Sequence, residues 1–220
     1  MEAFKAIRIQ LQAALWECCS PNFADGIAES SLLENVTHEL TEDAVAFAKK
    51  DPAAHNDVIR VIQCYTSFKA VLHYRLAHNL DREINGQLPT SESTIYATLI
   101  SSRGKLLSGA ELHHRCHIGQ RFILDHGIGT VFGETARIGD DCYILGGVTL
   151  GAYGIADNPS GKRHPTIGNR VQIGAFTRIF GNLSIGDDVF IGSQCIITES
   201  IPSLSSVTMR PSIQVVKRRC

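Results

Sequence analysis

No stretch of the 220 residues holds 18 consecutive apolar side chains, so no membrane-spanning helix is expected. The opening segment MEAFKAIRIQLQ has no uninterrupted apolar core and no small-residue cleavage site, which argues against a secretory leader. An excess of one charge is also missing: 21 Lys and Arg stand against 22 Asp and Glu, for a net charge of −1. A basic footprint for nucleic acid is therefore absent, and no nucleic-acid-binding motif is present. The seven cysteines (18, 19, 64, 116, 142, 195 and 220) are odd in number and form no Cys-x-x-Cys pair. These absences predict a cytoplasmic protein with neither membrane nor nucleic acid among its partners.

What is present is a six-residue beat. An aliphatic residue recurs at Ile167, Ile173, Ile179, Ile185, Ile191 and Ile197, and upstream at Leu112, Ile118 and Leu124, then at Phe132, Ile138, Ile144 and Leu150. A period of six fits neither an α-helix nor an ordinary strand, but it fits a parallel β-helix in which each step makes one side of a triangular coil. The beat residue points inward. A glycine usually follows it, as at 119, 139, 168 and 174, where tight geometry near each corner would favour it. Cys142 and Cys195 fall four residues after a beat residue, in a slot elsewhere filled by valine or threonine, and read as small buried hydrophobes.

Two breaks in the rhythm point to chemistry. Leu124 to Phe132 is a step of eight rather than six, and this slip contains Asp125 and His126. Leu150 to Ile167 is a step of 17, where three sides would need 18, and residues 151–166 are expected to protrude as a loop ending in Arg163 and His164. Insertions on one face of a solenoid commonly mark its working side.

Residues 1–108 lack the beat and show helical spacing instead. Val58, Val61, Ile62, Tyr65, Phe68, Val71, Leu72 and Leu76 line one face of a helix that should start with Asp51 as cap and Pro52 in its first turn. Stretches near 3–19, 24–49 and 92–107 also favour helix, with Pro21 as a break. The expected organisation is an all-α amino-terminal domain (1–108), a β-helix (109–201) and a tail (202–220), with the helices capping one open end of the prism.

His126 at the register slip is a candidate general base. Glu111, 15 residues earlier, should come near the same lateral position on the neighbouring coil, where a carboxylate could steady the imidazole. Arg163 and His164 could grip a carboxylate, or could simply be charged residues re-entering the coil. His113, His114, Cys116 and His117 are a tempting metal cluster, but alternate positions on a coil side point in and out, so no metal is expected.

The stretches Leu124-Asp125-His126-Gly127, Val131-Phe132-Gly133-Glu134-Thr135-Ala136, Gly147-Val148-Thr149-Leu150-Gly151 and Lys162-Arg163-His164-Pro165-Thr166-Ile167 together resemble bacterial serine O-acetyltransferases. Asp51-Pro52-Ala53-Ala54 and Tyr74-Arg75-Leu76-Ala77-His78 extend the resemblance, which covers about 50–200. It implies a left-handed β-helix and transfer of acetyl from acetyl-CoA, as co-substrate, to the hydroxyl of L-serine. His126 would be the general base, and Glu111 matches a catalytic aspartate. Asp51, with Pro52 beside it, and Asp125 would hold the amino group, while Arg163 and His164 would hold the carboxylate. Ala152 and Ala175 match positions that present backbone N–H groups to acetyl-CoA. The resemblance also implies a homotrimer or a hexamer made as a dimer of trimers.

Some residues depart from the pattern. Glu111 is one methylene longer than aspartate, and Ala152-Tyr153 replaces a Gly-Thr pair. The turn near the end reads Met209-Arg210-Pro211-Ser212 rather than Gly-x-Pro-Ala, and the chain ends in Lys217-Arg218-Arg219-Cys220 rather than isoleucine, so no complex with a cysteine synthase is expected. Two further readings stay open. One is the same chemistry on another small hydroxylated acceptor in a specialised pathway, which Glu111 and Tyr153 favour. The other is a catalytically silent β-helix used for assembly, which the joint presence of His126, Arg163 and His164 disfavours.

Overall fold

The computed structural model describes residues 1–82, 90–158 and 160–210. Helices come first: α1 (Glu2–Cys18), α2 (Pro21–Ala28), α3 (Ser31–Lys50), α4 (Val58–Cys64), α5 (Thr66–Leu80) and α6 (Ser91–Ser108). Pro21 opens α2, where its missing N–H costs nothing. Thr90 caps α6 by accepting the Ser93 N–H, and Gly109 ends it in the left-handed region at φ 72°.

The helix expected from Asp51 onward is not continuous. Asp51 caps only a 3₁₀ turn, Pro52–Ala54, and Asp57 supplies a separate cap for α4 by accepting the Arg60 N–H. Tyr65 then interrupts the run with an extended backbone between α4 and α5. Tertiary contacts outweigh helix propensity here, because the Tyr65 ring packs edge-on against Phe47 and its hydroxyl reaches Asp51.

The strands are β1 (Glu111–Leu112), β2 (His117–Ile118), β3 (Ile123–Asp125), β4 (Val131–Phe132), β5 (Arg137–Ile138), β6 (Tyr143–Leu145), β7 (Thr149–Gly151), β8 (Thr166–Ile167), β9 (Gln172–Ile173), β10 (Arg178–Phe180), β11 (Ser184–Ile185), β12 (Phe190–Ile191), β13 (Ile196–Ile197) and β14 (Ser206–Val207). They form three parallel sheets: a first face β1-β4-β7-β10-β13, a second β2-β5-β8-β11 and a third β3-β6-β9-β12-β14. All pairings between them are parallel, and together they close a triangular β-helix. Every beat residue from Leu112 to Ile197 is buried in the prism, as are Cys142 and Cys195.

Three details refine the sequence reading. The glycines at 119, 139, 168 and 174 do sit in tight geometry, and the tightness comes from close stacking of coils. A Cβ on Gly139 would lie 2.7 Å from the Gly168 oxygen and 2.5 Å from the Asn169 amide oxygen. Left-handed corner positions are taken instead by non-glycine residues such as Arg121, Asp141, Arg170, Phe176, Asp188 and Leu204, with Arg121–Asp141 and Arg170–Asp188 joined by bidentate ion pairs. Second, β7 and β8 are consecutive sides, so one side rather than three separates Leu150 from Ile167 and the rest of that span is the protruding loop. Third, coil pairing runs past Pro202, since β14 pairs with β12.

The helices cap the first coil, as expected, and side chains do the capping. The Tyr74 hydroxyl donates to the Cys116 carbonyl at 2.8 Å and accepts the Ile118 N–H at 3.0 Å. Arg75 donates to the carbonyls of Ile118 and Gly119 at 2.6 and 2.5 Å. Asp43 on α3 accepts the Phe122 N–H at 2.8 Å and holds Arg75 in a buried ion pair. Burial opposes the charge on Arg75, but the Asp43 carboxylate outweighs it and leaves the guanidinium more firmly protonated than a free arginine. The coil edge would otherwise present a row of unpaired backbone groups.

Candidate active site

The corner joining β3 to β4 carries the register slip, and its backbone turns through three left-handed residues: His126 (φ 64°), Gly127 (φ 72°) and Gly129 (φ 77°). This turn throws the His126 side chain outward, 82% exposed, with its Nε2 3.8 Å from Asp125 Oδ1. The imidazole stands at a cleft of about 750 Å³ lined also by Asp51, Tyr65, Asp125, Ala175 and Phe176. Four elements thus converge: the end of α3, the break before α5, the β3 corner and the corner after β9.

Both carboxylates in the cleft are held by tyrosines. Tyr65 donates to Asp51 Oδ2 at 2.8 Å, and Tyr143 on β6 donates to Asp125 Oδ2 at 2.9 Å. Asp51 Oδ1 also accepts the Ala53 N–H at 2.9 Å. Burial, with the adjacent Asp51 carboxylate, pushes the Tyr65 phenol up to about 12. Burial and Asp125 likewise raise Tyr143. The phenols stay protonated at neutral pH and act as donors. Two fixed carboxylates beside an open imidazole suit a cationic amine next to a group that must lose a proton.

A second cluster occupies a different corner, where the first face turns into the second. Here Arg163 Nη2 donates to Glu134 Oε2 at 2.5 Å, and the Thr135 hydroxyl lies 2.8 Å from His164 Nδ1. His164 is buried, and its Nε2 lies over Gly133, where a Cβ would come within 2.0 Å of that nitrogen. Burial lowers the His164 pKa, and the positive charges of Arg163 and Lys162 lower it further. The ring is thus neutral near pH 7.

The two clusters do not meet within one chain. His126, Asp125, Asp51 and Ala175 come together, with Pro52 in the turn beside Asp51. Arg163 and His164 come together at the other corner, and Ala152 lies just after β7 at the start of the protruding loop. Glu111 joins neither. It is not among the residues lining the His126 cleft; it pairs in register with Val131, and its carboxylate bonds Lys105 Nζ at 2.5 Å. Among the described residues no three His, Cys, Asp or Glu side chains converge as metal ligands: His114 Nε2 faces Asp81 at 3.3 Å, His113 stacks on His114, and Cys116 is buried in the prism. Sequence reasoning assigned no role to Tyr65, Tyr143, Glu134 or Thr135. Glu134 and Thr135 lie within a recognised motif, so that motif was their signal, whereas the tyrosines become visible only through three-dimensional contact.

Residues 164–199 match the family described as bacterial transferase hexapeptide (six repeats). The serine acetyltransferase of Helicobacter pylori strain 26695 is 37% identical over 171 residues, covering 78% of this chain and 93% of that protein. That of Synechococcus elongatus is 40% identical over 172 residues, covering 78% of this chain and 66% of that longer protein, a little under two thirds. Among solved structures, serine acetyltransferase from Brucella abortus strain S19 in complex with coenzyme A matches with a TM-score of 0.73 and 25% identity, over 96% of this chain and 94% of that one. With one face of the site holding an open histidine between fixed carboxylates and the chain aligned over nearly the whole of a curated relative, the protein belongs to the serine acetyltransferase family.

Proposed function

We propose that this protein transfers the acetyl group of acetyl-CoA to the hydroxyl of L-serine, giving O-acetylserine and CoA. The observation that carries the reading is the exposed His126 imidazole in a cleft with Asp51 and Asp125. In this mechanism Asp51 and Asp125 receive the serine ammonium, and Arg163 and His164 receive its carboxylate. His126 takes the hydroxyl proton as the oxygen attacks the thioester carbonyl carbon. The tetrahedral intermediate then collapses, breaking the carbon–sulfur bond, and the imidazolium returns its proton to the departing thiolate. Backbone N–H groups at Ala152 and Ala175 are the candidate donors to acetyl-CoA. Glu111 and Tyr153, where this chain departs from the family pattern, favour a second reading in which the acceptor is another small hydroxylated compound. CoA release measured with serine, homoserine, threonine and amino-sugar acceptors tests both readings. The best turnover with L-serine is expected, and turnover confined to another acceptor replaces the first reading with the second.

Such a site needs both corners, and one chain separates them by the width of a prism side. The reading therefore includes a homotrimer, alone or paired into a hexamer, in which the His126 corner of one subunit faces the Arg163 corner of its neighbour. Mixing inactive His126→Ala and Arg163→Ala subunits by co-expression should restore about a quarter of wild-type activity, the fraction of interfaces that keep both residues under random assembly. No recovery from a verified mixed trimer would mean that the site does not cross subunits.

A reducing cytoplasm suits the six cysteines that stand free among the described residues, and no helix among them is long and apolar enough to cross a membrane. Residues 211–220, on which the expectation about a cysteine synthase falls, lie outside the described residues. A ten-residue carboxy-terminal peptide is expected not to bind a cysteine synthase. A dissociation constant on the order of micromolar or tighter, about −8 kcal/mol, would reverse that expectation.

A further inference from the structure

We propose that Glu134 and Thr135 are positioning residues for the substrate carboxylate, Glu134 by fixing the Arg163 guanidinium and Thr135 by fixing the His164 ring. This deepens the acetyltransferase reading and rests on it. Both residues follow Gly133 in the corner after β4, whereas the residues they hold end the long loop that enters β8. A loop of that length needs an anchor where it re-enters the coil if its last two side chains are to keep a fixed direction.

Thr135 supplies that anchor three ways. Its hydroxyl oxygen accepts the backbone N–H of Arg163 at 3.0 Å and that of His164 at 3.1 Å. Its hydroxyl proton and its own backbone N–H, 2.8 and 3.2 Å away, both point to His164 Nδ1. A nitrogen that accepts a backbone N–H carries no proton, so in the neutral ring the proton sits on Nε2. His164 is thereby fixed as a donor through Nε2, which a carboxylate requires. Lys162 closes the arrangement from the other side, donating to the carbonyls of Thr135 and Pro165 at 2.6 and 3.1 Å.

Glu134 sits between two guanidinium groups. Oε2 accepts from Arg163 Nη2, and Oε1 lies 3.7 Å from Arg115 Nη1. Arg115 is itself held by Asp81, whose side chain is 3% exposed, at 2.8 Å. The hydrogen bond from Arg163 keeps the Glu134 carboxyl below its ordinary range, so it stays ionised. Arg163 uses one further N–H toward the Gly161 carbonyl at 3.5 Å, and a guanidinium has five, so donors remain for an incoming carboxylate.

The test compares L-serine with L-serinamide, which keeps the hydroxyl and amino groups but lacks the charged carboxylate. In the full-length protein Glu134→Gln should raise KM for L-serine about tenfold or more, leave KM for acetyl-CoA within about twofold, and lower the preference for L-serine over L-serinamide by the same factor. Thr135→Val should act in the same direction and Thr135→Ser should restore wild-type behaviour, because serine keeps the hydroxyl. Should Glu134→Gln fold poorly, Glu134→Asp carries the same test, since it keeps the charge and shortens the reach. A fall in KM for L-serine would overturn the proposal by making Glu134 a competitor of the substrate carboxylate. Equal shifts for both substrates, or no shift, would also overturn it. Wild-type protein that releases no CoA with L-serine would instead overturn the acetyltransferase reading.

Discussion

Replacing His126 with alanine should lower turnover with acetyl-CoA and L-serine by about two to four decades while leaving the folded state intact, the size expected for deleting a general base. Packing gives no competing reason for a large effect, because the side chain is 82% exposed and its nearest charged neighbour is Asp125 at 3.8 Å. The one structural concern is the backbone, which is left-handed at φ 64°, a region that alanine adopts less readily than histidine or asparagine. His126→Asn controls for it, since asparagine tolerates that backbone but cannot act as a base near neutral pH. Both variants should lose turnover alike while keeping the circular dichroism spectrum and melting temperature of the parent. Either variant retaining more than about a tenth of wild-type activity would remove His126 from the role of base.

The largest stability effect should come from Asp43→Ala. Removing this carboxylate strands the buried Arg75 guanidinium and leaves the Phe122 N–H without its acceptor. Breaking a buried ion pair from one side costs about 3–5 kcal/mol, because the remaining charge is uncompensated. Denaturant unfolding followed by circular dichroism measures it. The double variant Asp43→Leu with Arg75→Met should be more stable than Asp43→Ala, since replacing both partners removes the stranded charge. A loss below about 1 kcal/mol for Asp43→Ala would show that the coil edge tolerates an open Arg75.

The β-helix was legible because each beat residue reports the same local fact: a side chain that must be buried once per prism side. Thirteen such positions from Leu112 to Ile197 agree, and all are buried. The break at Tyr65 was not legible. It depends on Phe47 and Asp51 being in place to receive the ring and the hydroxyl, and nothing in the spacing from Val58 to Leu76 records that. The His126 cleft was half legible. Asp125 and His126 stood at a visible fault in the repeat, but the tyrosines that orient the carboxylates come from distant segments. Counting residues was least informative across the faults themselves. It could not register that Glu111 pairs with Val131 or that Lys105 takes its carboxylate.

The side chains that close the first coil also settle how far the coil can grow. A parallel β-helix has an unsatisfied strand edge at each end, and the next coil added to one end has the same shape as the last. Stripped of α3 and α5, the first coil would expose the carbonyls of Cys116, Ile118 and Gly119, and the N–H groups of Ile118 and Phe122, to the far end of another copy. Head-to-tail contact of that kind does not close on itself, and repetition makes a fibre. Tyr74, Arg75 and Asp43 occupy those groups first, so the helical domain blocks head-to-tail growth from this end.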